Sequence, residues 1–346
     1  MTAVPALDIL DLAPIPAGAT AADALGNTLD LARRAEDWGY QRYWVAEHHF
    51  AHVASAAPTV LIAEILAATR RIRVGSAAVL IGFTTAPAVA DAFGVLSALH
   101  PGRVDVGVGR TGQRLRTPSP GAPAVNPKLV AGYERLLQDP AAEPASFTEQ
   151  VDDVLALFAG TYAGRGVPLR SPVAEAAQGS PVWVFGSSAG ESAQLAGARG
   201  LPFVANYHVS PATTVDASNA YREAFRPSEF LAEPRLVVSA DVVVAETDAA
   251  ARDLAAGFPA WVHSIRFGDG AIAYPRDSAD LTDEQRAAVA DRTETQFVGD
   301  PGRVAAGLRE LADRTGADEL VITSVTHDHG ARLRSHELLA KEWGLL

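Results

Sequence analysis

A (β/α)8 barrel is the fold class this sequence predicts, on two observations. Short apolar runs alternate with longer Ala/Leu-rich amphipathic stretches from end to end, the pattern of repeated βα units around a parallel sheet. Eight such strands fall within 346 residues, a length that one barrel domain fills.

The elements follow in order. "ALDILDL" (6–12) reads as the first strand and "AADALGNTLDLARRAEDWG" (21–39) as its helix, stopped at Gly39. "RYWVAEH" (42–48) is the second strand, with a helix over about 57–69; "IRVGSAAVL" (72–80) is the third, with a helix over 87–99; "RVDVGVG" (103–109) is the fourth, with a helix over 148–160. Between the fourth strand and its helix, residues 111–147 are rich in Pro, Gly and Arg and weakly periodic, which reads either as a lid or as a plain surface loop. "PVWVFG" (181–186), "PFVAN" (202–206), "LVVSADVVVAE" (236–246) and "ELVITS" (319–324) complete the strands, with helices over 189–199, 211–225, 301–315 and from about 331. A segment over about 266–297, "FGDGAIAYPRD" within it, breaks the rhythm and is expected to be an insertion before the last βα unit of a single domain spanning 1–346.

The bulk numbers narrow the function. A hydrophobic content of 48% with 20% charged residues describes a globular protein with a sizeable core. A net charge of -12, with no basic stripe to offset it, repels a polyanion, so a small molecule is expected as partner and nucleic acid is not. With no cysteine, disulfides, thiolate metal sites and thiol nucleophiles are excluded. The N-terminus lacks a signal-peptide pattern and no apolar run reaches a membrane span, which leads us to expect a cytoplasmic protein.

In a barrel the chemistry gathers at the C-terminal strand ends. Here those ends carry Glu47, His48 and His49; Arg110; Gly186, Ser187 and Ser188; Asn206, Tyr207 and His208; and Thr326, His327, Asp328 and His329. If the second strand persists to its end, Trp44, Ala46 and His48 share one face and Val45, Glu47 and His49 the other, so one of the two histidines faces the lumen and can exchange protons near neutrality. "GSSAGES" (186–192) joins a strand to a helix with small residues and hydroxyls, which suits a phosphate or serves capping alone. Arg110, on the neighbouring strand, favours the phosphate. The histidines of "HDH" (327–329), with His48, His49 and His208, prompt a metallohydrolase reading; it ranks lower, because barrel hydrolases with paired histidines commonly set them at strand one, which here runs into "DLAPIPAG".

Four segments in order, "LDILDLAPIPAGATAADALGNTLDLARRAEDWGYQRYWVAEHHF", "HPGRVDVGVGR", "GSSAGESAQLAGARGLPF" and "TGADELVITSVTHDHGARLRSHELLA", resemble the bacterial-luciferase-like flavin monooxygenases over nearly the whole chain. That resemblance implies a TIM barrel that takes reduced FMN from a separate NAD(P)H:flavin reductase, reacts it with O2 at the flavin C4a, and oxygenates a small organic substrate. By position it implies His48 as the catalytic histidine flanked by Glu47 and His49. It implies Arg110 with Ser187, Ser188 and Ser192 at the flavin phosphate, and Gly109, Ala78 and Gly186 as further cofactor contacts. Trp44, Phe83, Asn206, Tyr207 and His208 are expected around the substrate, and a homodimer is expected. A deazaflavin (F420)-dependent dehydrogenase of the same barrel, or a non-catalytic flavin-binding subunit, are the alternatives.

Overall fold

The computed structural model describes residues 4–110, 145–164, 167–268 and 270–346. Its centre is a ring of parallel strands: β1 (Ala6–Asp11), β2 (Arg42–Val45), β3 (Arg73–Ser76), β4 (Val104–Gly109), β5 (Val182–Gly186), β6 (Phe203–Ala205), β7 (Leu236–Val244) and β8 (Glu319–Thr323). Each pairs with the next, and β8 returns to β1 with Ala6 opposite Glu319, so the sheet closes into the expected (β/α)8 barrel. Around it stand α1 (Ala21–Asp37), α2 (Pro58–Ala68), α3 (Ala86–Leu99), α4 (Phe147–Phe158), α5 (Glu191–Ala198), α6 (Thr214–Ala224), α7 (Asp248–Leu254), α8 (Phe258–Phe267), α9 (Pro301–Thr315) and α10 (His329–Trp343).

Local chemistry sets these boundaries. Thr20 and Asp23 form a reciprocal capping box at the start of α1, and Gly39, at φ +85°, takes the left-handed turn after it. Ser146 and Glu149 repeat the box at α4. Strand alternation sends Leu7, Ile9, Tyr43, Val45, Val106 and Val184 outward into the shell beneath the helices.

The inward positions build a floor. Trp44 meets Trp183 and Phe185 edge to face, at 5.4 and 5.7 Å between ring centroids. Glycine makes room for these rings, because a Cβ at Gly75 would lie 2.6 Å from the Trp44 ring and one at Gly107 would lie 2.7 Å from Phe185. Beneath them, Arg42 bonds Asp105 at 3.2 Å and Glu319 at 2.8 Å, and its guanidinium lies 5.0 Å from the Trp183 ring. The lumen is therefore plugged from below and opens only toward the C-terminal strand ends.

Three expectations need correction. The second strand ends at Val45, not His48, because after the last ladder bond, from the Ala46 amide to the Asp11 carbonyl of β1, the His48 amide turns to the Ser55 carbonyl; alternation does not orient the histidines. The run 72–80 is interrupted after Ser76 by a cis peptide between Ala77 and Ala78, and resumes as a two-residue strand at Val79–Leu80 beside β4. The insertion is wider than 266–297: α8 already belongs to it, and it lies between β7 and α9. Its last residues, Phe297–Gly299, pair with Val242–Val244 of β7, whose upper half outruns the short β6 and leaves an edge to fill. The lid expected over 111–147 falls almost wholly outside the described residues.

Candidate active site

The loop after β2 carries the first group of polar side chains. Asp11 anchors it from the outer side of the barrel: its carboxylate accepts from Tyr43 Oη at 2.5 Å, Thr28 Oγ1 at 2.7 Å and Arg332 at 2.6 Å, and from the Ala13 amide at 2.6 Å. Burial opposes that charge, but the Arg332 guanidinium and these donors hold the carboxyl below its ordinary pKa. Sequence reading missed this pair because Asp11 and Arg332 stand 321 positions apart.

On this support, Glu47 bridges two elements. One oxygen is 2.8 Å from His49 Nε2, and the other accepts from the Leu80 amide at 3.0 Å, tying the loop to the segment after β3 that contains Ala78. His49 also meets Phe83 edge to face at 6.1 Å. His48 is not part of that pair. It is exposed, in the loop beyond the C-terminal end of β2. Desolvation by the surrounding protein, and then His49, lower its pKa toward about 4, a depression that its exposure to water limits. The imidazole is neutral at working pH.

Across the mouth, His208 follows β6, with Nδ1 at 2.5 Å from Ser239 Oγ on β7. Burial lowers its pKa to about 3, helped by Arg292 and by His48, so this imidazole too is neutral. Asn206 is half-buried and its amide donates to the Gly186 carbonyl at 2.9 Å. Tyr207 corrects the expectation: in the turn after β6 it is buried with the outer-shell residues, against Phe297 at 6.1 Å. Trp44 is likewise floor, 1% exposed, with its indole donating to Asp8 at 3.2 Å.

The second group sits on the β4–β5 side. Arg110 donates to Glu191 at 2.8 Å, which fixes the guanidinium at the first turn of α5, and Thr148 donates to the other Glu191 oxygen at 3.2 Å. Ser187 and Ser188 are half-buried in the turn leading to that helix, while Ser192 is buried behind it. A Cβ on Gly186 would meet Ser192 at 2.9 Å, so the glycine lets the turn close onto its helix. Gly109 lies beside Ala78, whose side chain an added Cβ would approach to 3.2 Å, so the two strands' ends pack closely here.

Two motifs read differently in place. "GSSAG" (186–190) matches G-x-S-x-G at a strand-to-helix turn, the frame of a hydrolase nucleophile, but among the described residues no histidine bonds Ser188. His327 and His329 turn to the Ala17 carbonyl at 3.1 Å and Asp30 at 3.2 Å, away from His48, and among the described residues no three His, Asp or Glu side chains could hold a metal ion.

Comparison with known proteins agrees with this geometry. The family model described as luciferase-like monooxygenase matches residues 7–319. A protein of Escherichia coli (strain K12) named luciferase-like monooxygenase is 34% identical over 337 residues, covering 96% of this chain and 95% of its own. The solved structure of apo-MsnO8 is 32% identical, with a TM-score of 0.79, covering 99% of this chain and 98% of that one. The oxygenating constituent of 3,6-diketocamphane monooxygenase from Pseudomonas putida, solved in complex with FMN, shares the fold at 19% identity and a TM-score of 0.68, covering 98% of each chain. With a model match over most of its length and relatives of this similarity, the chain belongs to the luciferase-like monooxygenase family.

Proposed function

We propose that this chain is a flavin-dependent monooxygenase that takes reduced FMN from a separate reductase and, with O2, adds one oxygen atom to a small organic substrate held in the barrel mouth. The observation that carries this reading is the gathering, at the C-terminal strand ends, of two neutral imidazoles, His48 and His208, with the Arg110 cation and the start of α5. That combination suits a ligand with a flat ring at one end and a phosphate at the other.

The residues present fit such a group. Arg110, the Ser187 and Ser188 hydroxyls and the first amides of α5 would receive the phosphate, and Gly109 and Ala78, with little or no side chain, would lie against the ring. Reduced flavin, when bound, supplies the electrons that activate O2. The protein does the rest. The ion-paired floor and the aromatic layer above it exclude water from below. Neutral His48 offers a nitrogen that can accept a proton from a group in the mouth, and Glu47 with His49 holds the loop that presents it.

The test is turnover with FMN, NADH, an unrelated flavin reductase and 18O2 over a substrate panel. A product heavier by one labelled oxygen is expected. Anaerobic turnover with oxidised F420, which accepts a hydride from the substrate, and no label in the product would replace this reading with the dehydrogenase one. Unchanged product yield from His48→Ala would remove that residue from the mechanism.

A further inference from the structure

Strand alternation sends Val238, Ala240 and Val242 of β7 outward into the shell beneath the helices, so Ser239 and Asp241 between them point into the barrel. Ser239 is 1% exposed and stands opposite Val321, an inward residue of β8. Its hydroxyl oxygen lies 2.5 Å from His208 Nδ1 and receives the His208 amide at 3.4 Å, which holds the half-buried His208, in the turn after β6, on the lumen side. Nδ1 is thereby engaged. Among the described residues Nε2 has no protein partner, nor is it sealed in the interior. One rung nearer the opening, under the insertion, Asp241 accepts from Arg292 Nη2 at 3.1 Å, and burial and then the Asp241 charge raise the pKa of the Tyr274 hydroxyl in the same polar cluster.

Burial, then the Arg292 charge, then His48 oppose an imidazolium at His208, so its ring carries one proton, on one nitrogen or the other. The Ser239 hydroxyl decides which. It has one hydrogen and two acceptors in reach: Nδ1 at 2.5 Å, and the Ala205 carbonyl at 3.5 Å, which already takes the Tyr207 amide at 3.0 Å. The second contact is at the outer limit of a hydrogen bond and its carbonyl is occupied, so the hydroxyl donates to Nδ1. Nδ1 is then the acceptor, and the single proton sits on Nε2. His208 thus meets the lumen as a donor, in a tautomer set by a buried hydroxyl.

We propose that Ser239 is a positioning residue that locks His208 as the Nε2–H tautomer, so that His208 donates to an acceptor atom of the substrate bound in the mouth. The contact with substrate rests on the monooxygenase reading; the tautomer does not. Nitrogen-15 spectra of the full chain, labelled at histidine and free of ligand at neutral pH, test the tautomer, with His208→Gln identifying the resonances. His208 should show a protonated Nε2 and an unprotonated Nδ1, and Ser239→Ala should turn it into a mixture of both tautomers. A protonated Nδ1 in the parent, or the same His208 spectrum in Ser239→Ala, would overturn the proposal. With a substrate that yields labelled product, Ser239→Ala should raise KM about 5–10-fold while kcat changes less than about twofold, His208→Leu should raise KM at least as much, and both should keep the parent's affinity for FMN. KM unchanged in both variants would overturn it as well. Absence of labelled product from the parent would instead sink the monooxygenase reading, and the tautomer would still be decided by the spectra.

Discussion

At the scale of single residues, the floor of the barrel makes the sharpest forecast. Asp8 is buried with one oxygen unpartnered, and burial pushes its pKa from 3.8 to about 8, against the pull of Arg42. The folded state therefore holds a proton that the unfolded chain releases. Its stabilising contribution is complete below about pH 4 and is lost as pH rises through about 8. Urea unfolding of Asp8→Asn should accordingly show a flatter stability profile between about pH 5 and 8 than the parent, by more than about 1 kcal/mol across that window. His48 has the opposite sign. Its folded pKa lies below 6.5, so the neutral ring's contribution is lost as pH falls from 6.5 toward about 4, and the acid limb of a kcat profile, which reports the ligand-covered site, should fall below 6.5. Gly107 illustrates a letter pattern with another meaning. "GVGRTG" (107–112) spells G-x-G-x-x-G, yet here a Cβ on Gly107 would lie 1.8 Å from the Ser76 carbonyl oxygen, so strand contact accounts for it. Gly107→Ala should cost several kcal/mol, on the order of 3 or more, read from its unfolding midpoint.

At the scale of elements, two helix starts do the positioning. α10 delivers Arg332 to Asp11, both buried, and the same guanidinium also bonds the Ser324 carbonyl at 2.7 Å. Arg332→Met would leave a buried carboxylate without its cation and should cost about 3–5 kcal/mol in urea unfolding. At α5, Glu191 holds Arg110 but brings a negative charge to the helix start where the phosphate would sit. Glu191→Gln should therefore tighten FMN binding several-fold in a fluorescence titration, and Arg110→Met should weaken it about tenfold or more. Most element boundaries were legible because caps and periodicity are local: α1, α9 and β4 fall within a residue or two of their sequence reading. The end of β2 was not legible. Its termination depends on the Ser55 carbonyl taking the His48 amide, a loop contact that no periodicity announces.

At the scale of the whole molecule, the outer surface is acidic overall and carries exposed apolar side chains on neighbouring helices, Val60 on α2 and Val95 and Leu99 on α3. We propose this face for the expected homodimer. Light scattering coupled to gel filtration should give twice the chain mass, and Val60→Glu should shift it toward the monomer. For the reductase, reduced FMN that arrives by diffusion predicts equal product yield from unrelated reductases matched for flavin output.

The sequence by itself determined the barrel, the order of its strands and the family, because alternation, caps and ordered motifs are written in neighbouring residues. It also put His48, Arg110 and the Ser187–Ser188 turn at one end of the barrel. Tertiary structure alone decided which side chains face the mouth. Tyr207 turned outward and Trp44 became floor, while Asp241, Arg292 and Tyr274 entered the cluster under the insertion. Those assignments depend on where strands end and on which distant carboxylate meets which guanidinium, and such pairings across tens to hundreds of residues leave no local trace.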